Sequence, residues 1–148
     1  MATPTLTRHV LPGALGDILV DGRAGSRASP QPAVLLVHGC KGFKDYAFLP
    51  VFAERLARSG FAAVTASVSG SGVDEQGDFT LLDRFARNTY SRELDDLHVV
   101  ARAMLAGGLG FVPPPRLGVV GRSRGGPIEM MLEHELPAVR AVVTWSGV

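Results

Sequence analysis

One serine stands in a setting typical of a nucleophile. The stretch LGVVGRSRGG (117–126) places Ser123 between an apolar run and a helix-like segment, with glycines two positions before and after it. A turn this tight leaves no room for side chains at Gly121 and Gly125, and its strained backbone exposes the serine oxygen. The helix that follows directs its N-terminal N–H groups towards that oxygen. We therefore interpret Ser123 as an acyl-transfer nucleophile supported by Gly121, Gly125 and Gly126.

A second motif, LLVHGCKGFKDY (35–46), offers what an acyl-transfer transition state needs. Such a transition state carries negative charge on the former carbonyl oxygen, and two preorganised backbone N–H groups can stabilise it by several kcal/mol. We predict that the N–H groups of Cys40 and Arg124 are these donors, with His38 and Gly39 in support. The role uses no side chain, so a reactive thiol at Cys40 is the less favoured interpretation.

Together the two motifs resemble the α/β-hydrolase superfamily, in its dienelactone-hydrolase and serine-aminopeptidase-like branch. The resemblance implies a serine hydrolase that cleaves an ester, lactone or peptide bond through an acyl-enzyme on Ser123. It leaves the substrate open, because one fold hosts many chemistries. It covers about Val34 to Val148, and the segments that carry it occur in the expected order: HGCKGFKD, SVSGSGVDE, RFARNTYSRELDDL, GVVGRSRGG and VVTWSGV.

The resemblance also implies a triad acid and a histidine that follow the serine along the chain. Both residues are expected after the last strand of this sequence. The sequence ends at Val148, before either residue. We therefore expect the N-terminal half of a longer hydrolase, inactive or weakly active by itself. His134 lies roughly 16 Å from Ser123 by helix rise and cannot act as its base. Alternatively, Ser123, His38 and Asp45 form a triad within this chain.

Other interpretations of the same residues stay open. The chain is alternatively a catalytically silent remnant or an interaction module, associating through the open edge of its last strand. A dinucleotide-binding turn is disfavoured because GVVGRSRGG lacks the required glycine spacing. Arg122 and Arg124 either meet an anionic substrate group or are solvated or internally paired. Phe43, Tyr46 and Phe79 either form the wall of an acyl pocket or simply pack.

These motifs require elements that bring them to one edge of a sheet. The strand candidates are AVLLVHG (33–39), FAAVTASV (61–68), RLGVVG (116–121) and VRAVVTW (139–145). The first is a continuous apolar run, which suits a strand covered on both faces. Helices are predicted between these strands, one of them capped by Ser91. We expect an α/β fold whose mostly parallel sheet has helices on both faces, the α/β-hydrolase fold truncated after the strand that follows the nucleophile helix.

Length and composition limit the remaining possibilities. The 148 residues suit one domain, with an N-terminal strand and connector (1–32) and a sheet core (33–148). The net charge of +1, spread along the chain, argues against nucleic-acid and membrane partners. A single cysteine excludes an internal disulfide, and no metal or cofactor is implied. We expect a cytoplasmic protein with a small-molecule or peptide substrate, which associates with itself or with a complementing C-terminal half.

Overall fold

The computed structural model describes residues 3–148 and contains a single sheet of six strands with four helices in those residues. The strand order is β1-β2-β4-β3-β5-β6, antiparallel from β1 to β4 and parallel from β4 to β6. The elements in chain order are β1 (Thr5–Pro12), β2 (Asp17–Ala24), β3 (Ala33–Val37), α1 (Leu49–Arg58), β4 (Ala62–Ser67), α2 (Leu82–Ala86), α3 (Tyr90–Leu105), β5 (Leu117–Arg122), α4 (Gly125–Glu135) and β6 (Val139–Trp145).

Helices cover both faces of the sheet, as predicted. Alternate residues of β3 point to opposite faces because side chains of a strand alternate. Val34 and Leu36 belong to a cluster with Leu49 of α1. Leu35 and Val37 belong to the larger cluster that the buried faces of α3 and α4 complete. All five residues of β3 are buried, which explains why this strand is a continuous apolar run.

The predicted strands and the helix after Ser123 are present, and the N-terminal region differs from the prediction. Residues 1–32 were expected to hold one strand near Ile18, but they hold a hairpin of β1 and β2. Helix α3 is capped by Thr89 and not by Ser91: the Thr89 hydroxyl accepts a hydrogen bond from the N–H of Arg92. Ser91 lies inside the first turn, where its side chain cannot cap.

Strand β6 lies at one edge of the sheet and pairs with β5 alone among the described residues. Val143 and Trp145 are 54% and 50% exposed on it. Trp145 also packs on the ring of Phe48, with the two centroids 4.8 Å apart. Among residues 3–148, no helix is both long and apolar enough to cross a bilayer.

Candidate active site

Ser123 occupies the turn between β5 and α4 in a conformation that side chains rarely adopt. Its φ is +53°, in the left-handed region, which costs on the order of 1 kcal/mol or more for a residue with a side chain. The turn is held on both sides: the Ser123 N–H donates to the Trp145 carbonyl at 3.0 Å, and the Ser123 carbonyl accepts from the Gly126 N–H at 2.9 Å. The strained residue is therefore fixed by β6 and by the first turn of α4.

The glycines around Ser123 lie where no Cβ atom fits. A Cβ on Gly125 would come within 2.9 Å of the His38 carbonyl oxygen, and one on Gly121 within 2.6 Å of the Gly125 carbonyl oxygen. A Cβ on Gly126 would come within 2.9 Å of the Gly147 Cα. Backbone atoms cannot yield as flexible side chains do, so α4 can start this close to β3, β5 and β6 only with glycine at these positions.

The turn after β3 lies directly against the serine. A Cβ on Gly39 would lie 3.0 Å from Ser123 Cβ and 3.5 Å from Ser123 Oγ. Within residues 3–148, the backbone N–H groups of Cys40 and Arg124 donate to no acceptor. The two segments that were predicted to supply oxyanion donors thus meet at one place, and the two N–H groups have no other partner there.

His38 is buried beside this turn and its ring is fully engaged. Its Nε2 accepts a hydrogen bond from the Val68 N–H at 3.2 Å, which leaves Nδ1 as the protonated nitrogen that donates to the Gly39 carbonyl at 2.7 Å. Burial lowers the pKa of His38 to about 4, so the ring is neutral at physiological pH. Because both ring nitrogens are hydrogen-bonded to backbone groups, this arrangement does not support the alternative in which His38 is the base of Ser123.

The side chains of Asp45, His98 and His134 do not pair with Ser123 either. Asp45 forms an ion pair with Lys44 at 2.5 Å. His98 of α3 contacts the Glu135 carboxylate at 2.8 Å, and His134 is exposed near the end of α4. No histidine of residues 3–148 forms a hydrogen bond with Ser123.

The Arg124 side chain is held by two residues of α3. Its Nε donates to Glu93 at 2.8 Å, and its guanidinium lies 4.1 Å from the centre of the Tyr90 ring. Glu93 also accepts from the Asn88 amide at 2.5 Å. Glu93 was not among the site residues predicted from the sequence. The signal for its buried role was its position directly before Leu94, at the border of the apolar stripe of α3.

A cavity of about 170 Å³ lies beside this cluster. Its lining joins the turn after β3 to the side chains of α3 and Arg124, and so adjoins the serine turn. Of the three aromatic residues predicted for an acyl pocket, none lines it: Phe43 packs on Tyr46, and Phe79 packs on Phe85. The lining residues are His38, Gly39, Cys40, Lys41, Ser71, Phe85, Asn88, Glu93 and Arg124.

A buried carboxyl group lies beneath the serine turn. Glu129 of α4 is 0% exposed, and within residues 3–148 neither of its oxygens has a hydrogen-bond partner. Its Oε2 lies against Gly121, 2.4 Å from where a Cβ of that residue would be. Burial raises the pKa of Glu129 to about 8, so the carboxyl is largely protonated at neutral pH.

No group of three or more His, Cys, Asp or Glu side chains in residues 3–148 is arranged to hold a metal ion. The cavities therefore offer no site built from the usual metal ligands within this part of the chain.

Comparison with known proteins gives one family and one fold. The model of the dienelactone hydrolase family matches residues 20–148. No curated protein matches the sequence. The dienelactone hydrolase from Anabaena variabilis ATCC 29413 superposes with a TM-score of 0.75 at 18% identity, over 98% of this chain and 64% of that chain.

Two esterases share the same fold. A cold-adapted esterase from an Arctic intertidal metagenomic library, solved as a PEG-bound complex, has a TM-score of 0.76 at 16% identity, over 97% of this chain and 61% of that one. Brefeldin A esterase, a bacterial homologue of human hormone-sensitive lipase, has a TM-score of 0.66 at 16% identity, over 96% of this chain and 39% of that chain. The chain thus spans less than two thirds of the length of these similar structures, which establish the α/β-hydrolase fold.

Proposed function

The chain belongs to the dienelactone hydrolase family, and from this premise we propose that Ser123 is the nucleophile of a serine hydrolase. The substrate is an ester, a lactone or a peptide, cleaved through an acyl-enzyme. The observation that carries the proposal is the left-handed backbone of Ser123 at the junction of β5 and α4, in contact with Gly39. The unengaged N–H groups of Cys40 and Arg124 support it.

In the proposed reaction, Ser123 Oγ attacks the acyl carbon and loses its proton to a base. The carbonyl oxygen becomes an oxyanion that accepts hydrogen bonds from the Cys40 and Arg124 backbone N–H groups. Collapse of this intermediate expels the leaving group, which takes the proton back from the base. Water then attacks the acyl-enzyme by the same route and regenerates the Ser123 hydroxyl.

We propose that the base and its orienting acid come from residues beyond these 148, or from a partner chain. His38 donates to one backbone carbonyl and accepts from one backbone N–H, and its low pKa makes it a poor proton acceptor at neutral pH. A serine hydroxyl without a base is a weak nucleophile. The chain alone is therefore expected to be weak or inactive as a hydrolase.

The second candidate function is an interaction module without catalysis. The observation in its favour is β6, an edge strand with exposed apolar side chains at Val143 and Trp145. Such an edge offers unpaired backbone groups to another strand. The two functions differ in whether Ser123 reacts.

Labelling with a serine-directed fluorophosphonate probe tests the proposal. Native extract containing wild type or the Ser123→Ala variant is labelled, and the mass of each labelled band is read. A Ser123-dependent band near 15.6 kDa means that this chain obtains its base internally or from a partner. A Ser123-dependent band near twice that mass means that a longer chain is the working enzyme.

Ser146→Ala is the matched control, because Ser146 is also a serine with a left-handed backbone, φ +50°, and follows β6 at the same edge of the sheet. Its labelling should equal that of wild type. Cys40→Ala should also label normally, since only the backbone of Cys40 is used. If no labelling depends on Ser123, the nucleophile is wrong and the interaction module is the better account.

A further inference from the structure

Glu93 is a charged residue at a buried position of α3, and its carboxylate faces the residue that follows Ser123. It accepts hydrogen bonds from Arg124 Nε at 2.8 Å and from the Asn88 amide at 2.5 Å. The side chain of Glu93 is only 7% exposed, against 25% for that of Arg124. The pair connects the helix α3 to the turn that holds Ser123.

Tyr90 holds the same Arg124 side chain from a second direction. The guanidinium carbon lies 4.1 Å from the centre of the Tyr90 ring. Tyr90 and Glu93 are three residues apart on α3, so both point to the same side of that helix. A flat guanidinium that stacks on an aromatic ring while its edge meets a carboxylate is a contact that arginine makes and lysine does not.

Stability alone does not account for this arrangement. Burial raises the pKa of Glu93, and the charge of Arg124 only partly opposes that effect. A buried ion pair of this kind adds little to stability compared with apolar residues of similar volume. A second side-chain contact, between His98 and Glu135 at 2.8 Å, already connects α3 to α4 at the far end of α4. The position of the Glu93 contact, beside the serine turn and the adjoining cavity, is what distinguishes it.

We propose that Glu93 is a positioning residue for acyl transfer: by holding the Arg124 side chain, it fixes the direction of the Arg124 backbone N–H that receives the oxyanion. This inference rests on the proposed function of Ser123. Arg124 is the residue before the first turn of α4, and its N–H has no acceptor in residues 3–148 to hold it in place. The Ser123 carbonyl of the same peptide group is held by the Gly126 N–H, and the side-chain anchor adds a second restraint from α3. Small displacements of such a donor lower catalytic rates steeply.

The test compares two neutral replacements of similar shape, Glu93→Gln and Glu135→Gln. Each removes the charge of one contact between α3 and α4, but only the first lies at the serine turn. In native extract, which supplies the proposed base, we expect Glu93→Gln to slow fluorophosphonate labelling of Ser123 by about 10-fold. For the Ser123-dependent species that this labelling identifies, kcat against a p-nitrophenyl ester should fall while KM stays close to that of wild type. Glu135→Gln should match wild type in both measurements.

Arg124→Lys completes a double-mutant cycle. Lysine keeps the positive charge but loses the fork and the stacking, so this variant should be slowed to a similar degree as Glu93→Gln. If both act through one anchor, the double variant should be no slower than either single variant. Additive losses, or labelling of Glu93→Gln at the wild-type rate, would overturn the proposal.

Amide hydrogen exchange, measured by NMR on the 148-residue chain, separates this proposal from the proposed function. Glu93→Gln should speed exchange at the hydrogen-bonded amides of Ser123 and Gly126, which flank Arg124 at the turn, and Glu135→Gln should not. Unchanged exchange at both amides contradicts the role of Glu93 whatever the labelling shows. Wild-type protein that shows no Ser123-dependent label in native extract contradicts the nucleophile instead.

Discussion

At the scale of single residues, two buried titratable groups lie beside the serine turn, and each is kept neutral by burial. His38 has a pKa of about 4 and Glu129 a pKa of about 8. The native state binds fewer protons at His38 than the unfolded chain does, so His38 makes stability rise between about pH 4 and 6.5. Glu129 acts in the opposite sense from about pH 4.5 to 8, because its native state holds a proton that the unfolded chain has lost.

The Glu129→Gln variant measures the second contribution. Above about pH 6.5 the titration of Glu129 acts without opposition from His38, so wild-type stability should fall as the pH rises to about 8. Glutamine does not titrate, and the stability of the variant relative to wild type should increase by about 4 kcal/mol between pH 5 and pH 9. Urea unfolding at the two pH values gives this difference.

Glu133→Gln is the control for that measurement, because Glu133 is exposed on the same helix. It should show no such dependence on pH. If the stabilities of Glu129→Gln and wild type change in parallel from pH 5 to pH 9, then Glu129 is not protonated in the native state.

At the scale of elements, the junction of β5 and α4 depends on glycines that admit no Cβ atom. We expect Gly125→Ala to destabilise the fold by about 2 kcal/mol, since its Cβ would meet the backbone of Val37 and His38 at 2.9 to 3.0 Å. The stability of Gly118→Ala, a substitution within β5, should stay within about 0.5 kcal/mol of wild type. Its Cβ would have only ordinary contacts, the nearest at 3.6 Å from the Ala141 carbonyl oxygen.

Thermal and urea unfolding of both variants check this prediction. Equal stability of Gly125→Ala and Gly118→Ala would mean that α4 can move away from β3, and that the close approach at the junction is not obligatory.

The same elements mark how far the sequence could be interpreted. Strand β6 matches the predicted segment 139–145, because β-branched and aromatic residues predominate in it. Strand β1 was missed because it is an edge strand whose outer residues are exposed, so its sequence carries no clear alternation. The pairing of Glu93 with Arg124 was also missed, since it joins residues 31 positions apart. Contacts of this kind depend on tertiary structure and have no local pattern.

At the scale of the whole molecule, the two edges of the sheet differ, and β6 is the edge expected to associate. We predict that Val143→Lys lowers self-association of the chain, because a charge on an exposed edge strand opposes pairing with another strand. Sedimentation velocity over a range of concentrations should show a smaller average mass for the variant than for wild type.

Val10→Lys provides the comparison at the opposite edge. Val10 is 61% exposed on β1, so the substitution introduces the same charge at a similar site. If Val10→Lys lowers association as much as Val143→Lys does, the effect is one of general charge and β6 has no special role.

The strand order has a consequence for co-translational folding. Strand β3 ends at residue 37, but its second neighbour, β5, begins only at residue 117. Through the synthesis of the intervening segment, the most apolar strand of the sheet has one side without a hydrogen-bonding neighbour. Pairing between strands so far apart in sequence slows folding, and it prolongs the time for which the aggregation-prone edge of β3 is exposed. We therefore expect the nascent chain to be prone to aggregation until β5 has been synthesised.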